Sequence, residues 1–168
     1  MPDPQLIYWD ACVFIRYIAG DAECIGTLDA IMDAVGRSAG EMLIVTSAIS
    51  KVEVAYIQDE KDTRMARVEI EERIDELFGD ASIIKLIDMH DIIAVDARKL
   101  IRDGLQNEWS LKPMDAIHLA SAKWAKVYEF HTYDVGLIGR YAGSIGCKIV
   151  EPYIAQPPLP MPTSNQKV

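Results

Sequence analysis

Three cysteines are too few, and too scattered, to staple a fold. Cys12, Cys24 and Cys147 form no C-x-x-C pair and leave an odd count, which argues against a disulfide framework or a zinc knuckle and for reduced, buried thiols. No apolar run approaches the roughly 18 residues of a bilayer span, and the opening MPDPQLIYWD lacks the basic stretch and apolar core of a secretory signal, so a cytoplasmic protein is expected, with no membrane contact. Positive charge is also scarce. Lys and Arg number 17 against 26 Asp and Glu, a formal net charge of -9, which argues against holding nucleic acid by bulk electrostatics alone. G-x-G-x-x-G, G-x-x-x-x-G-K-[ST] and G-x-S-x-G are all absent, removing the main support for dinucleotide, P-loop and nucleophile-elbow chemistry. The three histidines, His90, His118 and His131, are never paired with a second metal-type ligand at i+4.

What is present is an alternation of short apolar runs with helical periodicity. Strands are expected at Leu6–Trp9, Met42–Thr46, Ser82–Ile87, Tyr128–Thr132 and Cys147–Val150. Between them the spacing predicts helices over 12–19, 22–35, 48–57 (with Ser47 as N-cap), 61–78, 92–105, 114–126 (opened by Pro113) and 135–141. The 61–78 helix would place Met65, Val68, Ile74, Leu77 and Phe78 on one face. Such alternation in 168 residues implies one α/β domain over 1–151, a three-layer α/β/α sandwich with a mainly parallel sheet. Five of the eight prolines fall at 152, 157, 158, 160 and 162, so 152–168 reads as a flexible tail.

The unusual feature is where the carboxylates fall. In an open α/β sheet, ligands bind beyond the carboxyl ends of the strands. Asp10 directly follows LIYW and Asp134 follows YEFHT by two residues, so parallel strands would bring both to one crevice. Glu53 sits among Ile49, Tyr56 and Ile57, where an isolated carboxylate would be costly without a cation or strong donors. Asp115 lies in the first turn of the helix opened by Pro113, beside His118, Leu119 and Ala122. Each acid also has an ordinary reading: a turn, an N-cap or a first-turn residue. Asp88, Asp91 and Asp96 lie near the third strand and are weaker candidates.

Four short segments carry a resemblance: YWDACVFI with Asp10, TSAISKVEV with Glu53, KPMDAIHLASA with Asp115, and HTYD with Thr132 and Asp134. In order and context they resemble the PIN-domain family of metal-dependent nucleases, most closely its VapC-like toxins, across residues 6–150. Cys12 is a departure, standing where that family commonly has Asn or Ser; a thiol is a poorer hydrogen-bonding group. The resemblance implies cleavage of single-stranded RNA with Mg²⁺ or Mn²⁺ and a small antitoxin partner, and a homodimer is expected. Hard divalent cations with oxygen ligands would relieve repulsion among the four acids. Asp10 and Asp115 would be primary ligands of one or two ions, Asp134 would hold a second ion or bind through water, and Glu53 would orient or deprotonate the attacking water. Thr132 and Ser47 would supply supporting donors.

Between 98 and 126, the six bases Arg98, Lys99, Arg102, Lys112, Lys123 and Lys126 face three acids, a flank where Arg98, Arg102 and Lys112 could meet phosphate. A rival reading is a catalytically weak PIN-like module that holds metal or a partner without cutting. A phosphoacceptor domain fits less well, because Lys148 and Lys126 are poorly placed for its lysine and Glu53 has no role in it.

Overall fold

A computed structural model describes residues 3–154. Five strands form one all-parallel sheet in the order β3-β2-β1-β4-β5: β1 (Gln5–Trp9), β2 (Met42–Ser47), β3 (Ile84–Ile87), β4 (Glu129–His131) and β5 (Lys148–Val150). Among the described residues the helices are α1 (Ala11–Ala19), α2 (Ile25–Arg37), α3 (Ser50–Glu53), α4 (Gln58–Thr63), α5 (Val68–Gly79), α6 (Asp91–Gln106), α7 (Pro113–Ala125) and α8 (Ala142–Ile145). No described helix is long and apolar enough to cross a membrane.

Strand alternation divides the core into two layers. Ile7, Trp9, Ile44 and Ile84 face α1, α2 and α5, with Phe14, Leu28 and Phe78 filling that side. Tyr8, Val45, Ile87, Phe130 and Ile149 face α6 and α7, where Ile93, Leu100 and Leu119 pack. Helices therefore cover both faces, which is the expected three-layer sandwich. Tyr8 and Phe130 are register partners on neighbouring strands, and their rings stack 4.9 Å apart at the centre of the sheet.

Most expected elements stand within a few residues of where their apolar periodicity put them; three do not. The helix expected over 48–57 is a single turn: Ser47 is the last residue of β2 and not an N-cap, and the helix ends at Glu53 because Val54 leaves the helical region. The helix expected over 61–78 is broken at Arg64, which adopts a left-handed backbone (φ 55°). Glu60 fixes this break, its carboxylate accepting the Ile57 N–H at 3.1 Å and the Arg67 N–H at 2.6 Å. Met65 and Val68 are consequently exposed, while Leu77 and Phe78 keep the buried face. Residues 135–141 form turns, with α8 following at Ala142.

Order along the sheet has one consequence for function. The chain builds outward from β1 through β2 to β3, then returns to place β4 and β5 on the other side of β1. The crevice where this order reverses lies beyond the ends of β1 and β4. Helices α6 and α7 pack antiparallel: His90, before α6, lies against Trp124 near the end of α7, ring centroids 5.4 Å apart, and Asp96 reaches Lys123 at 3.5 Å. The start of α7 thus stands at the crevice end and the start of α6 at the opposite end.

Of the segment expected as a tail, 155–168 lie outside the described residues. Pro152 is buried, and Tyr153 donates its hydroxyl to Glu129 at 2.9 Å. Cys24 is buried and all three cysteines are free. Phe130→Ala should destabilise the protein by about 3–5 kcal/mol, the cost of a large aromatic cavity in a well-packed core, measured by urea unfolding.

Candidate metal-dependent active site

Asp10 occupies the N-cap position of α1, yet its side chain makes no capping hydrogen bond. Its backbone N–H donates to the His131 carbonyl at 3.1 Å, extending the β1–β4 pairing by one step. The carboxylate itself, 6% exposed, turns into the crevice. There Thr132 donates its hydroxyl to Asp10 Oδ2 at 2.8 Å, and the Thr132 oxygen accepts the Asp134 N–H at 3.0 Å. One hydroxyl therefore holds the first and fourth motif acids in a fixed relation. Asp134 is exposed and serves its own turn as well, accepting the Gly136 N–H at 2.7 Å. A Cβ on Gly136 would fall 2.9 Å from that same Asp134 oxygen, so a larger residue there would displace the Asp134 carboxylate.

Cys12 completes this corner. Its sulfur lies 3.5 Å from Asp10 Oδ2 and 3.4 Å from Thr132 Oγ1, and accepts the Tyr133 N–H at 3.3 Å. Burial, with the Asp10 charge adding to it, pushes the thiol up to about 12. It therefore stays protonated at neutral pH and acts as a weak donor, not a reactive thiolate.

Asp115 projects from the first turn of α7, behind Lys112 at the N-cap and Pro113 at the first helical position. Burial raises its pKa above the ordinary aspartate range, and the negative charges of Asp10 and Asp134 raise it further; Lys112 and His118 act in the opposite sense. Asp10 and Asp134 thus stand close enough to oppose the ionisation of Asp115.

Glu53 comes from the other side of β1, at the end of α3. Its carboxylate meets the Nε2 of His118 at 2.5 Å, and that same nitrogen lies 3.7 Å from Asp10 Oδ1. His118 is wholly buried, one turn beyond Asp115, and its Nδ1 stands 2.7 Å from the hydroxyl of Tyr8. In the sequence His118 stands out only as a neighbour of Asp115. Its i+3 spacing from that acid was the local signal, but its partners lie 65 and 110 residues away.

Ser47 stands at the end of β2 with its hydroxyl buried and without a partner among the described residues, while its N–H donates to Tyr8 at 2.9 Å. Its hydroxyl touches none of the four acids, so its contribution runs through the backbone. Asp96 is taken up by Lys99 at 3.2 Å and by Lys123. Asp88 and Asp91 flank His90 at the far end of α7, away from Asp115. Arg98, Arg102 and Lys112 are exposed and form no ion pair among the described residues. The antiparallel packing puts Arg102 nearer the crevice end than Arg98.

The donor chemistry, all carboxylate oxygen on the four motif acids, suits a hard divalent cation such as Mg²⁺ or Mn²⁺ better than a soft one. The like charges opposing ionisation of Asp115 have the character of a site completed by a cation. Among the described residues, however, no three His, Cys, Asp or Glu side chains are gathered closely enough to hold an ion. Glu53, turned onto His118, accounts for part of that spread.

A family model of the PIN domain matches residues 7–142. The fold is similar to the VapBC2 complex from Rickettsia felis bound to a DNA fragment from its promoter (TM-score 0.60, 13% identity, covering 89% of this chain and 100% of that one). It is similar also to VapBC-1 from nontypeable Haemophilus influenzae (0.60, 13%, 88% and 98%) and to FitAcB from Neisseria gonorrhoeae (0.54, 16%, 87% and 97%). Comparison with curated proteins finds no significant match.

A raised Asp115 pKa means that ionising this group opposes folding: the stability it contributes is full below the unfolded pKa, about 3.9, and is lost as pH rises through the higher folded value. Asp115→Asn should therefore melt at a higher temperature than the natural protein at pH 7 in EDTA, with the gap closing towards pH 3.5, as read by scanning calorimetry.

Proposed function

The chain belongs to the PIN-domain family, and from that premise we propose that it is a metal-dependent endoribonuclease that hydrolyses phosphodiester bonds of single-stranded RNA, acting as the toxin of a toxin-antitoxin pair. The observation that carries this reading is the buried Asp10 carboxylate at the sheet's switch point, spared from capping its own helix and tied to Asp134 through Thr132 and to Glu53 through His118. PIN domains are generally nucleases, and the VapBC neighbours support a small antitoxin partner. A homodimer and a cytoplasmic setting belong to the same proposal.

Asp10, Asp115 and Asp134 would hold Mg²⁺ or Mn²⁺, with Glu53 as the fourth acid. When bound, the ion would lower the pKa of an attacking water and offset charge on the scissile phosphate. The protein's own part is to hold these carboxylates against their mutual repulsion. Thr132 and the Cys12 thiol fix Asp10 in position, and the Thr132 oxygen fixes the backbone of Asp134. Glu53, the one acid with a hydrogen-bonding imidazole behind it, is suited to orient water or take its proton. Lys112 beside Asp115, with Arg102 and Arg98 on α6, would supply the local positive charge an acidic protein needs to approach phosphate.

Two features favour a second reading, in which the chain holds metal or a partner without cutting. Cys12 offers a weaker donor than Asn or Ser, and Glu53 lies against His118 instead of standing with Asp115.

Incubation with end-labelled single-stranded RNA separates the two. Cleavage is expected with Mn²⁺ or Mg²⁺, none with EDTA, and none by Asp10→Asn, which should retain the natural circular dichroism spectrum. RNA left intact under all ions would favour the binding module. Lys112→Ala should weaken binding of that RNA and flatten the slope of log affinity against log salt by about 0.7, the value of one phosphate contact on a single strand, read by fluorescence anisotropy.

A further inference from the structure

Glu53 is the motif acid least secured by its own element. It ends a helix of one turn, Val52 before it is 73% exposed, and its side chain has one hydrogen-bond partner among the described residues, His118. His118 by contrast is fully enclosed: 0% exposed, within α7, in edge contact with a Tyr8 ring that is itself stacked on Phe130. We propose that Tyr8 and His118 form a buried positioning relay that sets the Glu53 carboxylate against Asp10, with Ser47 anchoring its far end. This rests on the nuclease reading for its consequence, though not for its geometry.

The protons can be assigned along the chain. The Ser47 N–H donates to the Tyr8 oxygen at 2.9 Å, so that oxygen already accepts. The Tyr8 hydroxyl has one proton to give, and His118 Nδ1 lies 2.7 Å away. Nδ1 accordingly accepts, which places the imidazole proton on Nε2, facing Glu53 Oε2 at 2.5 Å and Asp10 Oδ1 at 3.7 Å. A carboxylate only accepts, so this direction satisfies each group in turn. The result is one N–H placed between the first and second motif acids, at the point where their repulsion would otherwise drive them apart. His118 is thus a positioning residue acting through Glu53, and Tyr8 acts through His118. Outer partners of this kind typically contribute about 10- to 100-fold in metal affinity or rate.

Two isosteres divide the role of His118. In His118→Gln the amide nitrogen falls near the place of Nε2 and keeps the donor to Glu53; in His118→Asn it falls near Nδ1 and loses it. Three measurements on the full chain test the relay: nitrogen-15 NMR of the histidine rings without metal, Mn²⁺ affinity by calorimetry, and single-stranded RNA cleavage. The expected results are an Nε2–H tautomer for His118 with Nδ1 unprotonated, a mixed tautomer in Tyr8→Phe, Mn²⁺ affinity within a few-fold of natural for His118→Gln, and about 10- to 100-fold weaker affinity for His118→Asn. A relay role also predicts that cleavage falls in kcat with KM for RNA unchanged. An Nδ1–H tautomer, or equal Mn²⁺ affinity in the Gln and Asn variants, would overturn the relay. If either variant fails to fold, Tyr8→Phe, which removes one oxygen from the core, decides by the same tautomer and affinity measurements. Natural protein that binds Mn²⁺ and shows the expected tautomer yet cuts no RNA would sink the nuclease reading and leave the relay standing.

Discussion

Everything at the crevice depends on keeping like charges close together. Carboxylates that approach one another in a partly desolvated place repel, and a fold that gathers them must supply donors and rigid attachments to match. The Thr132 hydroxyl supplies one such link, joining Asp10 at the end of β1 to Asp134 beyond β4 across the point where the strand order reverses. Because β1 and β4 are register partners from Ile7 to Trp9, the link rests on paired central strands of the sheet. The parallel sheet can be seen as the device that aims these ends in one direction.

Each acid is held by a different means, and the differences suit different tasks. Asp10 is buried and doubly anchored through backbone and side chain. Asp115 relies on a helix start, where proline sets the geometry and Lys112 offsets charge. Asp134 is exposed and shares its oxygen with a turn. Glu53 alone depends on a side chain from another layer. A cation entering such a place would meet one fixed ligand and several adjustable ones, consistent with a site in which no three donors are already gathered.

Legibility in the sequence followed locality. Asp10, Asp115 and Asp134 could be placed because a strand end, a helix start and a turn are all written within a few residues of the acids themselves. The layered architecture was readable for the same reason, through the alternation of short apolar runs with helical periodicity; which of Ile7, Tyr8 and Trp9 faces which layer was not, because all three are apolar. Failures came where a distant group decides. Met65 and Val68 have helical spacing with Leu77, but Glu60 ties up the Ile57 and Arg67 amides and turns the chain at Arg64, so the periodicity is real and the helix is not continuous. Ser47 has the chemistry of an N-cap, yet pairing with Ile87 keeps it in the strand. His118 was hidden because its meaning depends on Tyr8 and Glu53, and nothing along the chain announces either partnership.

The two margins of the sheet are brief: four residues in β3 and three in β5, with Lys85 and Lys148 projecting outward from them. Short outer strands bearing ammonium groups discourage another chain from zipping on edgewise. Association with a like molecule is thereby steered towards the helical flanks, where a contact sparing α1 and α7 would leave the mouth between β1 and β4 open.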